Sequence, residues 1–86
     1  MPQYEVTFAR SARKELQSLP TDIASRILDK IDLLSSDPCP TGSRKLSGPG
    51  SLWRLRVGDY RVIYEIDDKN HIIDVSVVRH RREAYR

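Results

Sequence analysis

The amino-acid sequence predicts an α+β domain built from an N-terminal strand, a two-helix hairpin and a three-stranded antiparallel meander, with the helices packed on one face of the sheet. Three observations predict it. Apolar and polar residues alternate over residues 4–8, apolar residues recur at helical spacing between Ala9 and Leu34, and alternation returns from Leu52 to His80. The chain has 86 residues, too few for two separate hydrophobic cores, so residues 1–86 are expected to form a single domain.

Each element follows from local chemistry. In Tyr4-Glu5-Val6-Thr7-Phe8 the alternation puts Tyr4, Val6 and Phe8 on one face of a short strand. Ala9, Ala12, Leu16 and Leu19 then share one side of a first helix, which Pro20 ends because proline disfavours helical geometry in the residue before it. Thr21 or Asp22 is suited to cap a second helix, whose apolar stripe runs through Ile23, Ala24, Ile27, Leu28, Ile31 and Leu34 and stops before Asp37-Pro38. Residues 35–51 are rich in Ser, Pro and Gly and read as a long loop interrupted by Arg44-Lys45-Leu46.

The meander consists of Leu52–Val57, Tyr60–Ile66 and His71–His80, separated by Gly58-Asp59 and Asp67-Asp68-Lys69-Asn70. A two-residue turn at Gly58-Asp59 pairs Val57 with Tyr60, Leu55 with Val62 and Trp53 with Tyr64, which makes one apolar face. The opposite face receives Arg54, Arg56 and Arg61. For the last hairpin the same reasoning pairs Tyr64 with Ile73, Val62 with Val75 and Tyr60 with Val77. That register sends Asp74, Ser76, Val78 and His80 to the arginine face and leaves Arg61 in the centre of an exposed surface. Arginines directly across a strand pair cost up to about 1 kcal/mol, so an anion, or Asp74 on the same face, is expected to compensate them.

Composition narrows the partners. Residues 1–43 carry five basic and six acidic side chains, a net of −1, whereas residues 44–86 carry ten basic and six acidic, a net of +4. The basic surplus is thus C-terminal, which suits a polyanionic partner on one side of the molecule. One cysteine, Cys39, and two histidines without a CxxC pair give no disulfide framework and no structural zinc site, and neither a metal nor another cofactor is expected. With no apolar run long enough to span a bilayer and no signal-peptide pattern in MPQYEVTFAR, the expected location is the cytoplasm, away from membranes.

The strand, helix pair and loop with Lys45-Leu46-Ser47-Gly48, the stretch from Leu52-Trp53-Arg54-Leu55-Arg56-Val57-Gly58-Asp59 to Tyr60-Arg61-Val62-Ile63-Tyr64, and the ending Arg79-His80-Arg81-Arg82-Glu83-Ala84-Tyr85-Arg86 together resemble the RelE toxins of the RelE/ParE superfamily. The resemblance spans essentially the whole chain. It implies a microbial-RNase-like fold, cleavage of messenger RNA in the ribosomal A site, inhibition of translation, and restraint by a RelB-like antitoxin. Operator DNA would be met only indirectly, through the antitoxin complex.

Such cleavage needs no metal: a 2′-hydroxyl attacks the adjacent phosphate, a 5′-oxygen leaves, and the extra negative charge of the phosphorane must be stabilised. Arginine suits that stabilising role because its planar fork donates two hydrogen bonds to phosphate and stays charged. By resemblance Arg61 stabilises the phosphorane, Arg81 is a second phosphate or leaving-group contact, and Tyr85 stacks on or orients the nucleotide. His80 has the unperturbed pKa for proton exchange, while His71 is assigned a structural place at a strand end. Lys45 is a candidate for proton transfer, and Arg44, Arg54, Arg56 and Arg82 are candidates for binding RNA phosphates. Some relatives carry lysines where this chain has Arg54 and Arg56, and an arginine is a poor base. The general base is therefore open between Lys45, His80 and Glu83. Two other functions fit the same fold: a ParE-like, non-enzymatic inhibitor of DNA gyrase, and a binding module whose basic sheet merely seats an acidic antitoxin segment.

Overall fold

The computed structural model describes residues 3–46 and 52–80. Its elements run β1 (Glu5–Phe8), α1 (Arg10–Ser18), α2 (Thr21–Leu34), β2 (Ser43–Lys45), β3 (Leu52–Val57), β4 (Tyr60–Asp67) and β5 (Ile72–His80). One five-stranded mixed sheet results, in the order β1-β5-β4-β3-β2, with β1 parallel to β5 and every other pair antiparallel. The α+β class is as expected, and β2 is an additional edge strand where the sequence suggested a loop. Ser43, Arg44 and Lys45 pair with Leu55, Arg54 and Trp53.

Helix α1 ends where proline dictates, with Leu19 already extended at φ −85° and ψ 153°. Neither Thr21 nor Asp22 caps α2. Pro20 occupies the N-cap without a side-chain bond, its carbonyl accepts the first helical hydrogen bond from the Ala24 amide, and Asp22 lies in the first turn, where the helix dipole favours an acid. The helix bodies bury Ala12, Leu16, Ile27, Ile31 and Leu34 against Leu55, Val57, Val62, Tyr64, Ile66, Ile73, Val75 and Val78. Tyr64 is fully buried, and its hydroxyl donates to the Pro38 carbonyl at 2.7 Å, which ties the loop after α2 to the core. Burial pushes its pKa up to about 12.

The two hairpins of the meander differ. The β3–β4 register is the one the turn length implies, from Trp53 opposite Tyr64 to Arg56 opposite Arg61 and Val57 opposite Tyr60. Gly58 takes φ +58° as the first residue of that turn, a conformation glycine adopts without strain. The β4–β5 register departs from expectation in two steps. Residues 68–71 form the loop, with His71 at φ +55°, so Asp67 faces Ile72 and Tyr64 faces Val75 rather than Ile73. A β-bulge between Ile63 and Tyr64 then leaves Ser76 as the extra residue, and Ile63, Val62, Arg61 and Tyr60 face Val77, Val78, Arg79 and His80.

That single extra residue exchanges the two sides of the strand beyond it. Val78 is 2% exposed and belongs to the core, while Val77 turns to the arginine face. His80 likewise moves to the helix-covered side, beside Tyr60, and Arg79 takes the place the sequence had assigned to it. His71 lies exposed in the loop before β5 rather than on the apolar face at a strand end, its ring edge-on to Tyr4 at 5.2 Å.

Candidate active site on the open face of the sheet

The face of the sheet away from the helices carries a row of three arginines on adjacent strands, Arg56 on β3, Arg61 on β4 and Arg79 on β5, each opposite the next. Neighbouring strands lie about 4.8 Å apart, so the row spans about 10 Å. One step along the strands, Arg44 and Arg54 are opposite one another on β2 and β3. An open cleft of about 510 Å³ lies over this second row, lined by Gly42, Ser43, Arg44, Arg54, Arg56 and Gly58. Neither glycine puts a Cβ into it, and Arg44, Arg54 and Arg56 bring three positive side chains to its lining.

Arg61 holds the middle of the row and is not exposed, contrary to the sequence expectation. At 6% exposure it is the one buried charged side chain among the described residues, while Arg56 and Arg79 flank it in the open. A buried guanidinium is held by its surroundings in few orientations, and its field is screened less than that of a surface charge. Those are the properties needed to stabilise charge that develops during a reaction.

The expected neutralising contact between Asp74 and Arg61 is absent from the register. Asp74 stands opposite Glu65, four residues along β4 from Arg61 and so about 13 Å away along the strand direction. Its carboxylate accepts a 2.8 Å hydrogen bond from the Thr7 hydroxyl on β1.

The two described candidates for the general base do not join the arginine face. Lys45 is opposite Trp53, so its strand position belongs with Trp53 and Leu55, and alternation places it on the other side from Arg44 and Arg54. His80 lies edge-on to Tyr60, with ring centroids 5.2 Å apart and planes at 86°. Glu83, Arg81, Arg82 and Tyr85 lie outside the described residues. The residue that sequence reasoning missed is Arg79. An unbroken strand would have turned it toward the helices, and the only hint of a bulge was the adjacent pair Val77-Val78, which breaks alternation.

Among the described residues no group of His, Cys, Asp and Glu is arranged to hold a metal ion, and no helix is long and apolar enough to cross a membrane. A row of arginines such as this has the chemistry to bind phosphate, since each planar fork donates two hydrogen bonds and stays charged.

Comparison with known proteins gives the fold and the face a family. Residues 6–85 match the model of the ParE toxin of type II toxin-antitoxin systems. Toxin RelE of Mycobacterium tuberculosis is 32% identical over 84 residues, covering 96% of this chain and 87% of the relative. Toxin RelG of the same organism is 34% identical over 87 residues, covering 96% and 97%. In the RelE-RelB complex from Pyrococcus horikoshii the similar chain superposes with a TM-score of 0.82 at 37% identity, over 92% of this chain and 96% of that one. The isolated RelE toxin of E. coli, at 22% identity and a TM-score of 0.79 over 90% of this chain and 83% of that one, shares the fold. The arginine-lined, helix-backed sheet is thus that of a RelE-type toxin, and the chain belongs to the RelE/ParE superfamily of type II toxin-antitoxin systems.

Proposed function

We propose that the protein is a ribosome-dependent endoribonuclease that cuts messenger RNA in the A site and so inhibits translation. The observation that carries this reading is the buried Arg61 between Arg56 and Arg79 on the open face. The 2′-hydroxyl loses its proton and attacks the adjacent phosphorus in line. The P–O5′ bond breaks, the 5′-oxygen regains a proton, and a 2′,3′-cyclic phosphate remains. Arg61 and Arg79 stabilise the phosphorane, with Arg81 and Tyr85 completing the site from the C-terminal segment. Arg44, Arg54, Arg56 and Arg82 hold the flanking phosphates. Neither Lys45 nor His80 lies on this face by register, so the described residues favour catalysis by charge stabilisation and orientation of the message over proton transfer by either side chain.

The partners in this reading are a RelB-like antitoxin, supported by the RelE-RelB complexes among the similar structures, together with the ribosome and its message in the cytoplasm. Operator DNA is reached through the antitoxin. The description of the matching family model as a ParE toxin favours a second reading, a non-enzymatic inhibitor of DNA gyrase. Brief induction in cells followed by mapping of RNA ends separates the two. Cuts within translated codons, absent with Arg61→Ala, support the nuclease. DNA damage with intact messages and continuing translation would replace it with the gyrase reading.

A further inference from the structure

The basic cleft at the sheet edge depends on β2, a strand of three residues at the end of the strand order, with β3 as its neighbour. So short an edge strand holds itself weakly. It also sets Arg44 directly opposite Arg54, and like charges in that relation repel one another. The attachment that offsets this lies on the other side of the strand. Alternation turns Ser43 away from the open face, and Ser43 stands opposite the buried Leu55. The Ser43 hydroxyl and amide both donate to the Pro40 carbonyl, at 2.7 and 3.0 Å, and close the turn in which Gly42 takes φ +97°. Tyr64 reaches the same turn from the core. Its hydroxyl donates to the Pro38 carbonyl at 2.7 Å, and Ser43 is a hydrogen-bonding neighbour of the phenol that works against the rise in pKa caused by burial. A fully buried side chain of β4 thus grips the loop at Pro38 and again where the loop becomes β2.

We infer that Tyr64 and Ser43 are positioning residues for RNA binding: from the helix-covered side of the sheet they fix β2 so that Arg44 stays opposite Arg54 and lines the basic cleft for a phosphate of the RNA backbone. The inference rests on the endoribonuclease reading for the choice of RNA as the polyanion. Tyr64 is buried and the Ser43 hydroxyl is engaged with Pro40, so neither is a ligand to the phosphate. Their effect runs through Arg44, the next residue in the chain after Ser43. A donor already held in place loses less freedom on binding than one that must be brought in. Loosening β2 therefore costs affinity although every charge is still present.

The test measures binding of a short 2′-O-methyl RNA, which cannot be cut because its nucleophile is blocked. Tyr64→Phe and Ser43→Ala are made alone and in an Arg44→Ala background, with Ser43→Thr as the replacement that keeps the hydroxyl. Each of the first two should weaken binding about threefold or more, while Ser43→Thr stays within about twofold of wild type. Circular dichroism checks that all remain folded. With Arg44 already removed, the same changes should cost less than about 1.5-fold further, because residues that act through one another are not additive. Amide hydrogen exchange at Arg44, and at Leu46, whose amide donates to the Leu52 carbonyl, should quicken about tenfold in Tyr64→Phe and Ser43→Ala, and less at Ile73 in the central part of the sheet. Equal losses of affinity with and without Arg44, or unchanged binding in both single variants, overturn the positioning role. Failure of the wild-type chain to bind the oligomer overturns it as well. If wild type binds with the expected coupling to Arg44 but cuts no message on programmed ribosomes, the nuclease reading fails and the positioning role stands.

Discussion

The open face of the sheet has two ends of opposite character. Toward the Gly58 turn stand Arg44, Arg54, Arg56, Arg61 and Arg79, whereas toward the loop at residues 68–71 the same face carries Glu5, Glu65 and Asp74, with Thr7 among them. Like charges oppose one another at both ends, Arg56 with Arg61 with Arg79 at one and Glu65 with Asp74 at the other. The acidic end relieves its crowding locally, through the hydroxyl that Thr7 donates to Asp74. At the basic end the central charge is buried and arginines face it from both neighbouring strands. On the proposed endoribonuclease reading, the acidic end repels the same polyanion and favours the half of the sheet nearest Gly58 for the message.

Breaking the contrast at its centre should have the largest effect. Arg61→Ala is expected to lower the ribosomal cleavage rate by about 100-fold or more, as removal of one preorganised donor to a developing oxyanion does. Circular dichroism checks that the variant remains folded. Arg79→Ala is expected to cost about 10- to 100-fold in the same assay, since its exposed guanidinium keeps more freedom than the buried one. An Arg79→Ala enzyme with full activity would remove β5 from the site.

Stability supplies a comparison between the open face and the core beneath it. The raised pKa of Tyr64 means the fold favours its neutral phenol, so this contribution is complete below pH 10 and is lost as pH rises from 10 towards about 12. Urea titrations across that range should show the decline, and Tyr64→Phe should flatten it. The variant should also lose about 1 kcal/mol at neutral pH with the hydrogen bond to Pro38. The flanking row is next in size: Arg44→Ala or Arg54→Ala should weaken RNA binding by about 1 kcal/mol and reduce the slope of log affinity against log salt by about one. Smallest is the acidic end, where Glu65→Gln should change stability by less than about 0.5 kcal/mol and leave cleavage unaltered. A marked gain in RNA affinity in that variant would sharpen the confinement argument.

Much of this was legible in the residues themselves. Period and punctuation located both helices and all three strands of the meander, because Pro20, Gly58 and the alternation from Leu52 onward are local signals. Arg61 stood out for its place beside Arg56, which the two-residue turn determines. What escaped was the second half of β5. Val77 and Val78 are adjacent and identical, so burying either contributes the same apolar area, and alternation alone has no means of choosing between them.

The sequence by itself determined the α+β class, the faces of the β3–β4 hairpin and the concentration of basic charge in the second half of the chain, since each depends on neighbours in sequence and on turn length. Tertiary structure decided the final register. Only when α1 lies across β5, with Ala9 and Ser11 bonded to its carbonyls, is the extra residue placed at Ser76. The choice is then between turning Arg79 or His80 toward the helices. A histidine ring that packs edge-on against Tyr60 suits the helix-covered side better than a guanidinium with its five donors, so the histidine takes that side and the arginine joins Arg61.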